Sequence, residues 1–64
     1  MNITGRAIGW ILPDDQRAVV EVEGEHIECQ NIHRLSCAPG DKVEIYVNHR
    51  GDIPTVTGAQ HRDD

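Results

Sequence analysis

Apolar and polar residues alternate in three stretches of this chain, and each stretch is bounded by turn-forming residues. In "RAVVEVE" (17–23), Val20 and Val22 fall on one face, with Val19, Glu21 and Glu23 on the other. In "HIECQNI" (26–32), Ile27 and Cys29 face one way, and His26, Glu28 and Gln30 the other. "KVEIYVN" (42–48) separates Val43, Ile45 and Val47 from Glu44, Tyr46 and Asn48. A period of two is the pattern of a half-buried strand, because successive side chains point to opposite faces. Two less regular stretches, "TGRAIGWIL" (4–12) and "IPTVTG" (53–58), complete five expected strands. Pro54 restricts the last one to an edge or a strand start, since it has no N–H to donate.

The breaks between strands carry turn chemistry. "PDDQ" (13–16) joins a proline with preset φ to aspartates that hydrogen-bond locally. Gly24-Glu25 marks a tight hairpin. "HRLSCAPGD" (33–41) is too short and too interrupted, at Ser36, Pro39 and Gly40, to form a helix. "HRGD" (49–52) turns the chain once more; its Arg50-Gly51-Asp52 reads as a turn rather than a recognition tripeptide. Five short strands with regular turns and no helix predict a small all-β barrel or sandwich. The barrel is expected over residues 1–58, with 59–64 a flexible polar tail.

The first strand has two possible parities. Ile8, Trp10 and Leu12 form one alternating set, and Ala7, Gly9 and Ile11 the other; a bulge at Gly9 would switch between them. Alternation leaves Trp10 open between core and surface; a chain without Phe has few large side chains for a core, which favours the barrel interior for Trp10.

Composition narrows the class. Sixty-four residues make one domain, and a domain this short is marginally stable. The formal net charge is −5, from 11 acidic and 6 basic residues. Such a balance opposes non-specific attachment to phosphate backbones and anionic membranes. No apolar run approaches the roughly 18 residues of a membrane span. The start, "MNITGRAIGW", lacks the features of a signal peptide, so the two cysteines read as reduced thiols and the expected location is cytoplasmic.

Read in order, "GRAIGWILP", "RAVVEVEGEHIECQNI" and "PGDKVEIYVNHRGDI" resemble the OB-fold of bacterial translation initiation factor 1 and the S1-like RNA-binding domains. The resemblance runs over about residues 5–58. It rests on a glycine-led first strand ending near Leu-Pro, a hairpin with glycine at its tip, and a Pro-Gly-Asp-Lys-Val turn opening the fourth strand. The N-terminal OB domain of small ribosome-assembly GTPases looks similar, including a cysteine where Cys29 stands. The "PGDKV" turn also occurs in hydrogenase-maturation chaperones, but residue 2 here is Asn, not the Cys of their Met-Cys start. This chain departs from the initiation-factor pattern in its reduced basic cluster, His33 and Arg34, and in a shorter loop before the fifth strand.

The resemblance implies a five-stranded OB-like closed barrel, with an SH3-like barrel, also built from five short strands, as the alternative, and it implies RNA or the ribosome as partner. An OB-fold binds nucleic acid on the outer face of strands two and three and on the flanking loops, with cations for phosphate and aromatics for stacking. The cations available are Arg17, Arg34, Lys42, His49 and Arg50, with Arg6 extending the set. Tyr46 would stack a base, and so would Trp10 if it faced outward. Against this, Glu21, Glu23 and Glu28 occupy the outer face of strands two and three. They support an alternative function, an acidic adaptor or regulator that docks a basic protein partner.

Other chemistry is thinly represented. His26, Cys29, His33 and Cys37 include zinc-ligand types, but alternation sends His26 and Cys29 to opposite faces, and no metal or other cofactor is expected. A Cys29–Cys37 disulfide is disfavoured in a reducing compartment. Nucleophile elbow, phosphate loop and triad order are all lacking, and so small a barrel leaves little room for a substrate pocket. The expectation is a binding module without enzymatic activity.

Overall fold

The computed structural model describes residues 1–60. Five strands are present, β1 (Asn2–Ala7), β2 (Arg17–Val22), β3 (Glu25–Gln30), β4 (Lys42–Tyr46) and β5 (Thr55–Gln60). They close into a barrel in the order β1-β2-β3-β5-β4, the small five-stranded OB-like all-β architecture expected. β1 runs antiparallel to both β2 and β4. β3 and β5 meet in parallel at a single registered pair, Gln30 with Thr55. The described residues include no helix long and apolar enough to cross a membrane.

The inward faces match the period-two pattern. Ala18 and Val20 of β2, Cys29 of β3, Val43 and Ile45 of β4 and Val56 of β5 are buried together with Ala7, Ile11 and Cys37. Ile3, Val22, Ile27 and Leu35 flank them, half-buried. Every buried side chain here is small or medium, so the interior is narrow. Gly5 is the reason β1 lies so close to β2. A Cβ at that position would stand 2.6 Å from both the Glu21 carbonyl oxygen and Val20 Cγ1. Glycine in a strand interior marks such a close approach of another backbone.

Trp10 does not fill the barrel; it is 72% exposed. Gly5, Ala7 and Ile11 share one parity, and all three are buried. β1 leaves the ladder after Ala7, and the chain returns at Ile11, which exchanges two 2.9 Å backbone hydrogen bonds with Cys37. Ile11 therefore takes the inward place, and Ile8, Trp10 and Leu12 point outward.

The turns are close to those expected. The hairpin tip is Glu23-Gly24, one residue earlier than the pattern suggests, with φ of 51° and 83°. Positive φ at both central residues is the conformation that suits a right-twisted two-residue hairpin. Glu23 thus stands at the tip rather than on the outer face of β2. In Ala38-Pro39-Gly40-Asp41, the Asp41 N–H donates to the Ala38 carbonyl and Gly40 has φ 88°, a type II turn with Pro and Gly at their favoured positions. The turn docks on β1, with Gly40 N–H donating to Ala7 and Ala7 N–H to Asp41.

β5 carries a bulge: Glu44 pairs with Gly58 and Ile45 with Val56, leaving Thr57 as the extra residue. The strand extends through Ala59 and Gln60, which pair with Val43 and Lys42. Those two residues, expected in the tail, belong to the barrel; the rest of that segment, 61–64, lies outside the described residues.

Candidate nucleic-acid interface

The connection 8–16, the end of β3 and the connection 47–54 meet at one pole of the barrel, and Gln30 is where they join. Its backbone N–H donates to the Pro54 carbonyl at 2.7 Å, and its Nε2 to the Ile53 carbonyl at 3.3 Å. The neighbouring Asn31 N–H donates to the Gln16 carbonyl. The buried Asn31 side chain reaches further, donating to the carbonyls of Leu12 and Leu35 and accepting from Leu35 N–H. One amide therefore fixes the first and third connections relative to each other.

Across this pole the outer side chains form a row. Arg17 stands opposite Gln30, Gln30 opposite Thr55, and Thr55 opposite Tyr46. Two open grooves share Gln30 in their walls. One is lined by Pro13, Asp14, Arg17, Ile32 and Arg34. The other is lined by Tyr46, Asn48, Asp52, Ile53 and Thr55, with a volume of about 480 Å³. Tyr46 is 44% exposed, which leaves part of its side chain accessible at this groove.

The structure thus brings Arg17, Arg34 and Tyr46 onto one surface. His49 and Arg50 sit exposed in the connection that borders it, where Asn48 Oδ1 accepts from Arg50 N–H and Gly51 has φ 80°. Arg34 itself has φ 55°, an uncommon conformation for a non-glycine residue. It follows from the turn begun at Asn31, whose carbonyl accepts from Arg34 N–H at 3.2 Å.

Lys42 does not join this surface. It stands opposite Arg6 on β1 and Gln60 on β5, four residues along β4 from Tyr46. At about 3.3 Å per residue the separation is roughly 13 Å. Arg6 donates to the Gly40 carbonyl at 3.2 Å and shares an open groove with Lys42, Glu21 and Glu23. Trp10 lies on the strand-like segment beside the Ile11–Cys37 bridge, available for contact but outside the row through Gln30.

The carboxylates do not form a continuous acidic face. Glu28 accepts from Arg17 at 3.4 Å in an exposed ion pair. Glu21 is flanked in register by Arg6 and His26. Cations and anions therefore interleave across β1, β2 and β3. In the first groove, Asp14 and Asp15 stand beside Arg17 and Arg34. Asp15 is occupied with the local turn, accepting from Leu12 N–H at 2.9 Å.

Cys29 is buried inside the barrel while His26 is exposed outside it. Cys29 and Cys37 are both free. Burial pushes each thiol above its ordinary pKa, and the nearby carboxylates of Glu28 and Asp41 respectively push it further. Among the described residues, no three His, Cys, Asp or Glu side chains are grouped so as to hold a metal ion.

Sequence reasoning missed Gln30, Asn31 and Asn48. Gln30 had a usable signal, its outward parity at the end of a strand opposite Arg17. Nothing local marks Asn31, whose role depends on two distant connections. Comparison with known proteins finds no matching family model, curated protein or solved structure.

Proposed function

We propose that this chain is a non-enzymatic OB-like module that binds single-stranded RNA at the pole around Gln30. The observation that carries this reading is the convergence of Arg17, Arg34 and Tyr46 on two grooves sharing Gln30, beside the exposed His49 and Arg50. Cations along a groove track phosphates, and an open aromatic face accepts a base of any sequence. The likeness of the motifs to ribosome-associated OB domains supports the same ligand class. Lys42 is not part of this surface, and Trp10 extends it only for a strand long enough to cross the 8–16 connection.

The interface is small and its cations are partly compensated. Three phosphate contacts, from Arg17, Arg34 and Arg50, give a slope of about −2 for log K against log salt, at about 0.7 per contact. The test is an amide-shift titration of the labelled protein with a short mixed-sequence single-stranded RNA at low salt. Shifts centred on Arg17, Gln30, Arg34, Tyr46 and Arg50, weakening with that slope, support the reading. Absence of shifts at large RNA excess refutes it.

A further inference from the structure

Strand β3 is paired along only one side for most of its length. β2 covers it from Glu25 to Gln30, whereas β5 meets it at Gln30 alone. Because the β3–β5 contact is parallel, β5 runs on from Thr55 past the end of β3 and does not return along Glu25–Cys29. The direction of the backbone groups follows from the hairpin. In a two-residue hairpin the flanking pair, here Val22 and Glu25, exchanges hydrogen bonds. Alternation then turns the N–H and C=O of Glu25, Ile27 and Cys29 toward β2, and those of His26, Glu28 and Gln30 away from it. The Gln30 N–H confirms this direction, since it donates to Pro54 on the far side. His26 and Glu28 therefore present backbone donors and acceptors along an edge that no strand of the described residues occupies.

The side chains along this edge have a definite chemistry. Ile27 is half-buried and packs against the core, leaving apolar surface at the rim. Glu25 and Glu28 are exposed on either side of it, and Glu21 and Glu23 stand on the same hairpin. Arg17, paired to Glu28, is the lone Arg or Lys of β2, β3 and their turn. Edge strands in native proteins are commonly protected with lysine, which deters pairing. Here the hairpin that carries the edge has four carboxylates, Glu21, Glu23, Glu25 and Glu28, against Arg17 alone, a net negative balance that deters a second copy of the same chain and favours a basic segment.

We infer that the Glu25–Glu28 edge of β3 accepts an extended basic protein segment by strand addition. The segment alternates apolar residues, on the face of Ile27, with Lys or Arg on the opposite face, against Glu28; Glu25, at the hairpin end of the Ile27 face, adds negative charge where the segment begins. Main-chain hydrogen bonds to His26 and Glu28 supply affinity, and the alternating side chains supply specificity. This surface is separate from the Gln30 pole and stands whether or not RNA binds there.

Amide hydrogen exchange on the full chain tests this in two stages. In the free protein, the His26 and Glu28 amides exchange at least about tenfold faster than those of Ile27 and Cys29, because only the latter N–H groups point at β2 and donate to it. Equal protection would mean that the edge is already covered, and would overturn the inference. An end-blocked eight-residue peptide alternating Lys and Val is then added, with an alternating Glu and Val peptide, an all-Lys peptide and a short single-stranded RNA as comparisons. Selective slowing at His26 and Glu28 by the Lys and Val peptide alone supports strand addition. Binding of all-Lys peptide to the same extent, no slowing by any peptide, or slowing by RNA instead, each overturns it. The Glu25→Lys, Glu28→Lys double variant, on the exposed surface, should weaken the Lys and Val peptide by about tenfold through charge reversal. Unchanged affinity in a variant whose Val20 and Val43 amide shifts match the parent would also overturn it.

Discussion

The two ends of β3 share one strand and one alternation, yet they are built differently. At Gln30 the strand is flanked on both sides, by Arg17 of β2 and by Thr55 of β5, and Gln30 donates hydrogen bonds to the carbonyls of Ile53 and Pro54. At His26 and Glu28 it is held by β2 alone. The difference comes from the parallel join, which touches β3 at its last residue and then diverges. A barrel closed in this way has one rigid pole, where connections converge into grooves, and one bare hairpin. The rigid pole is suited to positioning Arg17, Arg34 and Tyr46 for a ligand. The bare hairpin is suited to being covered.

The contrast depends on the barrel staying closed, so the most severe way to break it is at the β1–β2 crossing. Gly5→Ala puts a Cβ 2.6 Å from the Glu21 carbonyl and from Val20 Cγ1. Overpacking of this kind costs about 3 kcal/mol, which is comparable to the whole stability of a chain this small. Urea unfolding should show a midpoint shifted to near zero denaturant. Asn31→Ala attacks the rigid pole alone. It removes the Asn31 hydrogen bonds to Leu12 and Leu35 and should cost about 2 kcal/mol. Amide exchange should rise at Gln30 and Leu35 while Ile27 and Cys29 stay protected. If both ends loosen together, they are not separate units.

A smaller effect is expected from the ligand side. Tyr46→Ala should weaken RNA about tenfold with little change in unfolding midpoint, in line with the loss of one base stack. The buried thiols give a pH signature. Cys29 and Cys37 have folded pKa values raised by burial. The unfolded chain therefore releases these protons first as pH rises. Their contribution to stability is complete below the ordinary thiol pKa of about 8.5 and declines above it, toward the raised folded values. The urea midpoint should fall between pH 8 and 10, and fall less in the Cys29→Ala, Cys37→Ala double variant. The smallest effect belongs to the Arg17–Glu28 pair. Being exposed at both partners, it should contribute under about 0.5 kcal/mol, so Arg17→Ala should leave stability nearly unchanged while reducing RNA affinity.

Much of the fold could be read from residues alone. Val20, Val43 and Ile45 declared their faces by alternation, and Pro39-Gly40 declared its turn, because both signals are local: a pleat has period two, and a type II turn needs positive φ at one place. The face of Trp10 stayed open in the sequence because it depends on where β1 leaves the ladder. Ile11 claims the inward position only through its bridge to Cys37, 26 residues further on. Glu21 and Glu28 read as one acidic face because the sequence does not show that Arg6 stands beside the first and Arg17 beside the second. Lys42 and Tyr46 read as one patch because four residues on one strand look close in sequence and lie on different rows of the barrel.

The sequence by itself determined the strand count, the inward residues of β2, β3 and β4, and the turn positions to within a residue. Those follow from steric and solvation preferences acting over a few neighbouring residues. The tertiary structure alone decided that Gln30 joins two grooves, that Asn31 ties two connections together, that Gly5 must lack a side chain, and that β3 keeps a bare edge. Each of these depends on which distant backbone comes alongside, and that is set by the stagger of a closed barrel rather than by any local preference.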